Sequence, residues 1–199
     1  MKKIAIFCFM ALFLAASVFA QEEPGLQVGI QAPDFEALTY QGVPVKLSDI
    51  NKEGPVVLIF YRGGWCVYCN RQLQALQSRL DDFNDLGASI VAISVDLQEN
   101  AAKTVEEKQL GFTVISDPGA HLLELYGLIY QVPDDIVKQY EGYQIDLKAA
   151  SGRDDHIISI PATYVIDRAG KIVFAYANRD YKIRKSPDEI LEVLRAIEQ

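Results

Sequence analysis

Two cysteines three positions apart, Cys66 and Cys69, close the run Phe60-Tyr61-Arg62-Gly63-Gly64-Trp65-Cys66-Val67-Tyr68-Cys69. A Cys-x-x-Cys pair placed where an apolar strand gives way to a helix is the pattern of a redox-active dithiol, and a preceding Trp strengthens it. At a helix N-terminus, unpaired N–H groups and the positive end of the helix dipole stabilise a thiolate. Cys66 is therefore the expected nucleophile, and Cys69, one turn on, is placed to close a disulfide with it. Val67 and Tyr68 bring no charge, so Cys66 relies on the helix end, helped by Arg62.

Two metal readings compete with this one. Structural zinc would need more ligands than one cysteine pair, and only His121 and His156 are available to add. Copper(I) suits two thiolates and an imidazole, which makes Cys66, Cys69 and His156 the alternative metal set and a copper chaperone the alternative function. The two-residue gap between the cysteines and the polar surroundings of His156 (Arg153, Asp154, Asp155) count against it. Metal-free dithiol chemistry is the preferred reading. Ile160-Pro161 precedes a strand-like run, where proline is tolerated only at the start. The order of elements predicts that this proline is cis, with the Ile160 backbone facing the dithiol.

The elements that position these residues follow from periodicity. Pro55 to Tyr61 is a short apolar run and reads as a buried strand. Leu73, Leu76, Leu80, Phe83 and Leu86 recur at helical spacing and read as one helix ended by Gly87. Ala88 to Val95 is a second buried strand, Gln98 to Leu110 a polar helix ended by Gly111, Phe112 to Ile115 a strand, and Ala120 to Tyr126 a short helix. Before them, Phe35 to Tyr40 and Val43 to Leu47 flank Gln41-Gly42 as a hairpin. Ala162 to Asp167 and Lys171 to Tyr176 form a second hairpin around Arg168-Ala169-Gly170. Ser186-Pro187-Asp188-Glu189 is a capping box opening a last helix. Residues 128–159 break the alternation and read as an insertion, in which Pro133 starts a helix and Tyr130, Tyr140 and Tyr143 are read as packing. The sum is one α/β domain with a mixed sheet flanked by helices. Its order is that of a thioredoxin-like fold with an N-terminal extension and an insertion before the last β-hairpin.

Lys2 and Lys3, the apolar stretch from Ile4 to Ala16 and the small residues Val18 and Ala20 predict a signal peptide over residues 1–20, leaving a domain over 21–199. Export follows, with the bacterial periplasm as the destination; the alternative is a membrane anchor formed by residues 4–20. Cleavage removes Cys8 and two lysines, moving the formal charge from −8 to −10 and leaving two cysteines, both in the one motif. A four-residue loop restrains the unfolded chain little, so this pair is chemical rather than structural. An acidic chain without Lys/Arg clusters offers no surface for nucleic acid or for anionic lipid once the leader is gone.

The segments Ala32-Pro33-Asp34-Phe35, Val45 to Asp49, Phe60 to Cys69, Ile93-Ser94-Val95-Asp96, Ile115 to Pro118 and Pro161 to Asp167 resemble the alkyl hydroperoxide reductase and thiol-specific antioxidant family, specifically its peroxiredoxin-like branch with a Cys-x-x-Cys motif. The resemblance implies a thioredoxin fold and hydroperoxide reduction. Peroxiredoxins proper carry Pro-x-x-x-Thr/Ser-x-x-Cys and a distant arginine. Aligned so, Arg62 stands at the proline, Cys66 at the threonine, Cys69 at the peroxidatic cysteine and Pro161 at the arginine. Three of those positions differ, and the same residues match thioredoxins, with Trp65 before the nucleophile Cys66, Cys69 as resolving thiol and Pro161 as the cis-proline. The expected function is an exported, peroxiredoxin-like thiol oxidoreductase that reduces hydroperoxides. A thiol-disulfide reductase of exported proteins is the alternative. No nucleotide or flavin fingerprint occurs, so no cofactor is expected and electrons come from a thioredoxin-like or small-thiol donor.

Overall fold

The computed structural model describes residues 23–197, so the leader expected over 1–20, or the anchor over 4–20, lies outside them. The N-terminal hairpin is present: β1 (Glu36–Leu38) pairs antiparallel with β2 (Pro44–Lys46). Helix α1 (Leu47–Glu53) follows directly and is absent from the sequence reading. Seven residues are too few for a helical period to declare itself. Contacts outside the helix hold it: the Asp34 carboxylate accepts the Ser48 N–H at 2.9 Å, and the buried Asn51 amide donates to the Gly54 and Asp167 carbonyls at 3.0 and 2.8 Å.

Strand β3 (Val56–Phe60) leads through the cysteine loop into α2 (Val67–Gln77), and α3 (Leu80–Asp85) comes after it. The single helix expected here is thus two. Ser78 turns its hydroxyl back to the Ala75 carbonyl at 2.8 Å, and Arg79 leaves helical geometry to pair with Asp82 and Asp188. Such local bonds compete with the helix ladder. The apolar stripe survives the break, because Leu73, Leu76 and Phe83 are all fully buried.

Strand β4 (Ser89–Ser94), α4 (Gln98–Lys108), β5 (Thr113–Ser116) and α5 (His121–Leu125) continue the alternation. The end of α4 corrects the expectation at Gly111, since the left-handed residue is Gln109, with φ of 52°.

Residues 128–159 form an excursion whose two ends meet: β6 (Ile129–Gln131) pairs antiparallel with β7 (Ile157–Ser159), with α6 (Asp134–Gly142) and α7 (Leu147–Ser151) between them. Pro133 caps α6 and is not its first residue. The chain then runs into the hairpin β8 (Ala162–Ile166) and β9 (Ile172–Ala177) and ends in α8 (Pro187–Ile197). The capping box is formed, with Glu189 accepting the Ser186 N–H at 2.8 Å and Ser186 accepting the Glu189 N–H at 3.3 Å.

The central sheet has the order β5-β4-β3-β8-β9, with β3, β4 and β5 parallel and β8 and β9 antiparallel. Strand β3 is central and wholly buried. Its alternate side chains enter opposite cores: Val56, Leu58 and Phe60 join Leu123, Tyr126 and Tyr164, while Val57, Ile59 and Tyr61 join Leu73, Leu76 and Leu191. Near-continuous Val/Ile/Leu sequence is what a strand covered on both faces requires.

Gly54 tests how tightly this frame closes. Its φ of 167° is ordinary extended backbone, yet a Cβ there would overlap the Gly87 carbonyl oxygen before β4. Gly54→Ala is expected to lower stability by about 1–3 kcal/mol, read as a fall in urea midpoint at constant slope. Gly142→Ala, where a Cβ meets nothing within 4 Å, should be neutral or slightly stabilising. Equal midpoints for wild type and Gly54→Ala would contradict this packing.

Candidate active site

The site begins where β3 ends. Tyr61 still donates its N–H to the Ile93 carbonyl at 3.0 Å, so Arg62 is the first residue free of the sheet. Gly63, with φ of 147°, turns the chain in a conformation that side chains rarely adopt, and a Cβ there would press on Trp65 and Asp96. Gly64 is clamped on both sides: the Asp96 carboxylate accepts its N–H at 2.8 Å, and the Asn70 amide donates to its carbonyl at 2.7 Å. A Cβ on Gly64 would also overlap the Thr104 hydroxyl of α4. This clamp fixes where α2 starts. Cys66 is its N-cap, donating to the Gly63 carbonyl and accepting the Asn70 N–H, both at 3.0 Å.

Cys66 and Cys69 are both free thiols and both buried, Cys69 completely. Their surroundings separate them. The Cys66 thiol is drawn down to about 6: the Cys69 side chain hydrogen-bonds to its sulfur, burial opposes, and the Cys69 N–H and the charges of Arg62 and Arg184 assist. Cys69 moves the other way, raised by burial and by donating to a negative neighbour. Cys69 Sγ nevertheless receives the Arg62 backbone N–H and Arg184 Nη2, each at 3.5 Å.

Arg62 is 4% exposed, and its guanidinium lies against three rings: Tyr181 at 4.0 Å, Trp65 at 5.0 Å and Tyr140 at 5.5 Å. It also donates to the Tyr140 hydroxyl. Trp65 and Tyr140 pack with ring centroids 5.5 Å apart. Cation–π contacts of this kind offset part of the cost of burying a charge. Asp96, fully buried behind the loop, has its carboxyl raised to about 6 by burial, against the Gly64 N–H and the Ser94 hydroxyl. The Cys66 charge pushes it up further.

The structure therefore brings together Arg62, Trp65, Cys66 and Cys69, and places Ile160 and Pro161 in the wall of a cavity that Arg62 also lines. The cis expectation is corrected, because the described residues contain no cis peptide bond and Ile160-Pro161 is trans. The chain passes from β7 into β8 in extended form, with the Ile160 N–H on the Leu128 carbonyl at 2.7 Å and the Pro161 carbonyl accepting from Asn178 at 3.1 Å. A trans bond serves that path, and at the strand start the missing N–H costs the ladder nothing. His156 is half-buried with φ of 53°. Among the described residues no three His, Cys, Asp or Glu side chains converge for a metal ion, so His156 does not join the cysteines.

Sequence reasoning missed four residues of this site. Tyr140 was read as packing within the insertion but reaches Arg62, whereas Tyr143 is 76% exposed. Tyr181 and Arg184 come from the segment between β9 and α8, where nothing periodic marks them. Asp96 had a signal: an acid ending an otherwise apolar strand, in the sequence Ile93-Ser94-Val95-Asp96.

A thioredoxin-like α/β sheet with an acidic thiol and its partner at the first helix after the central strand defines a thiol-dependent oxidoreductase. The chain belongs to the AhpC/TSA family, which it matches over residues 28–175. It is 28% identical over 181 residues to the chloroplastic peroxiredoxin Q of Sedum lineare, spanning 91% of this chain and 82% of that protein. To the thiol-disulfide oxidoreductase ResA of Bacillus thuringiensis it is 21% identical over 195 residues, spanning 98% of this chain and 92% of that one. Its fold is that of peroxidoxin BcpB of Mycobacterium tuberculosis, with a TM-score of 0.69 at 23% identity, covering 87% of this chain and 99% of that one. No helix among the described residues is long and apolar enough to cross a membrane. The enzyme is thus an oxidoreductase of the peroxidase or disulfide-reductase kind.

The asymmetry between the thiols gives a direct expectation. Alkylation of the reduced protein by iodoacetamide should rise with pH around a midpoint near 6, at Cys66 alone, where an unperturbed thiol would show about 8.5. Cys69→Ala removes a donor to that thiolate and should shift the midpoint upward. A wild-type midpoint at or above 8 would show that Cys66 is not activated.

Proposed function

We propose that the protein is an exported peroxiredoxin-like enzyme that reduces hydroperoxides with the Cys66/Cys69 pair and is recycled by an external thiol. The observation that carries the reading is the nucleophile's setting: an acidified Cys66 only 4% exposed, beside a second thiol in hydrogen-bond contact. So enclosed a sulfur admits a small hydroperoxide more readily than the disulfide of a folded protein.

In the first step the Cys66 thiolate attacks the terminal oxygen of the hydroperoxide. The O–O bond breaks, the hydroxyl passes to sulfur to make Cys66 a sulfenic acid, and the alkoxide leaves and takes a proton from solvent. The Cys69 sulfur then attacks that sulfenic sulfur, releasing water and closing the Cys66–Cys69 disulfide. Arg184 and the Arg62 N–H, both on Cys69 Sγ, favour its deprotonated form at that moment. Two electrons from an external dithiol or from two small thiols restore the pair. Trp65 and Arg62 hold the site's walls, and Ile160 and Pro161 line the approach from the side of Arg62.

Disulfide reduction is the second reading. It is favoured by Pro161 standing where peroxiredoxins proper hold arginine, and by the likeness to ResA over almost the whole chain. Stopped-flow oxidation of the reduced protein by hydrogen peroxide and by oxidised glutathione ranks the two. The hydroperoxide rate constant is expected to exceed the other by at least about tenfold, which corresponds to ~1.4 kcal/mol of barrier. The reverse order would transfer the assignment to disulfide exchange. Cys66→Ser should abolish turnover, while Cys69→Ser should leave a sulfenic acid on Cys66 that dimedone traps. An adduct on Cys69 in the Cys66→Ser variant would instead make Cys69 the peroxidatic residue. Export predicts that the protein recovered from the periplasm begins at Gln21.

A further inference from the structure

We propose that the cavity lined by Arg62, whose backbone N–H rests on Cys69 Sγ, binds the carboxylate of the small thiol that reduces the Cys66–Cys69 disulfide. The proposal rests on the dithiol cycle above and is independent of which oxidant starts it. The cavity is about 280 Å³ in volume; Tyr140 and Tyr181 wall it, Ile160 and Pro161 give it an apolar side, and Arg62 and Arg179 give it charge. No acidic side chain lines it. That is notable in a chain of formal charge −8, and neither arginine forms an ion pair among the described residues.

A buried guanidinium without an anion is costly, and aromatic faces return only part of that cost. In the reduced protein the Arg62 charge helps to hold Cys66 as a thiolate, and that thiolate is the nearby negative charge. In the disulfide neither sulfur is charged, and Arg62 then faces the cavity with no compensating anion. The cavity is thus most attractive to a carboxylate in the state that must be reduced, and the thiolate regenerated at the end disfavours its retention. Its volume and its Ile160-Pro161 side suit a short aliphatic acid rather than a protein segment.

The exchange balances. The donor thiolate attacks Cys66 Sγ, the bond to Cys69 breaks, and Cys69 leaves with the electron pair beside Arg184 and then takes a proton. A second thiolate attacks the donor sulfur of the mixed disulfide, releasing the donor disulfide and the Cys66 thiolate. Two thiols are oxidised and one protein disulfide is reduced.

The test compares reduction of the oxidised full-length protein by 3-mercaptopropionate and by 2-mercaptoethanol, followed by Trp65 fluorescence and expressed per thiolate. An acidic protein without such a cavity repels the charged reagent and reacts more slowly with it. The expectation here is an advantage of about tenfold for mercaptopropionate, the size of one charge-assisted hydrogen bond. Arg179 is exposed and its replacement threatens no core, so Arg179→Gln tests the cavity itself and should bring the ratio down to one or below. A wild-type ratio at or below one overturns the proposal, as does a ratio that Arg179→Gln leaves unchanged. Failure of both thiols to reduce the protein would overturn the dithiol cycle together with it.

Discussion

Strand β3 sits between β4 and β8 and is covered on both faces, with not one residue from Val56 to Phe60 reaching solvent. Whatever follows such a strand is delivered to a fixed point at the rim of the sheet. Here that point is occupied by Arg62, and four residues later by Cys66. The two apolar cores are therefore not a passive frame. They set the position of the strand's end to within side-chain packing tolerance, and the clamp on Gly64 carries that precision across the loop to the first turn of α2. The parts that chemistry needs to move are few: two sulfurs within one helical turn.

The electrostatics of the site run against those of the chain. An acidic protein gathers Arg62, Arg179 and Arg184 around one end of its sheet, and the buried Asp96 accepts the Gly64 N–H of the loop. The result is a thiolate stabilised by a neighbour's S–H and by positive charge while desolvation opposes it. Burial alone would have raised both thiols. Cys69 is raised first by its burial and then by donating to Cys66, whereas at Cys66 the hydrogen bond received from Cys69 outweighs burial.

Much of this was readable in the sequence because the strongest signals are local. The run into Cys66, the alternation of strands and helices, the last hairpin and the Ser186 capping box all rest on patterns shorter than about 15 residues, and each forms as expected. What escaped was long-range or very short. Helix α1 is held by Asp34 from outside its span and by its own Asn51 reaching across to Asp167, and at the break Arg79 pairs with Asp188, more than a hundred residues away. Tyr140 reaches Arg62 because β6 and β7 pair to close the insertion, and Arg184 reaches Cys69 because the segment after β9 folds back towards α2. The Ile160-Pro161 bond was misjudged for a related reason: its geometry follows from the path between two strands, and one of them, β7, carries no alternating pattern to reveal it.

We propose that Cys66 and Cys69 form a single two-electron couple and not two independent thiols. Equilibrating the protein across thiol–disulfide buffers, quenching with acid and mapping the alkylated peptides tests it directly. One transition with a two-electron slope is expected, in which both cysteines lose reactivity together and one peptide carrying the Cys66–Cys69 bond appears. Oxidation of Cys66 with Cys69 still a free thiol, or a separate transition for each, would contradict it.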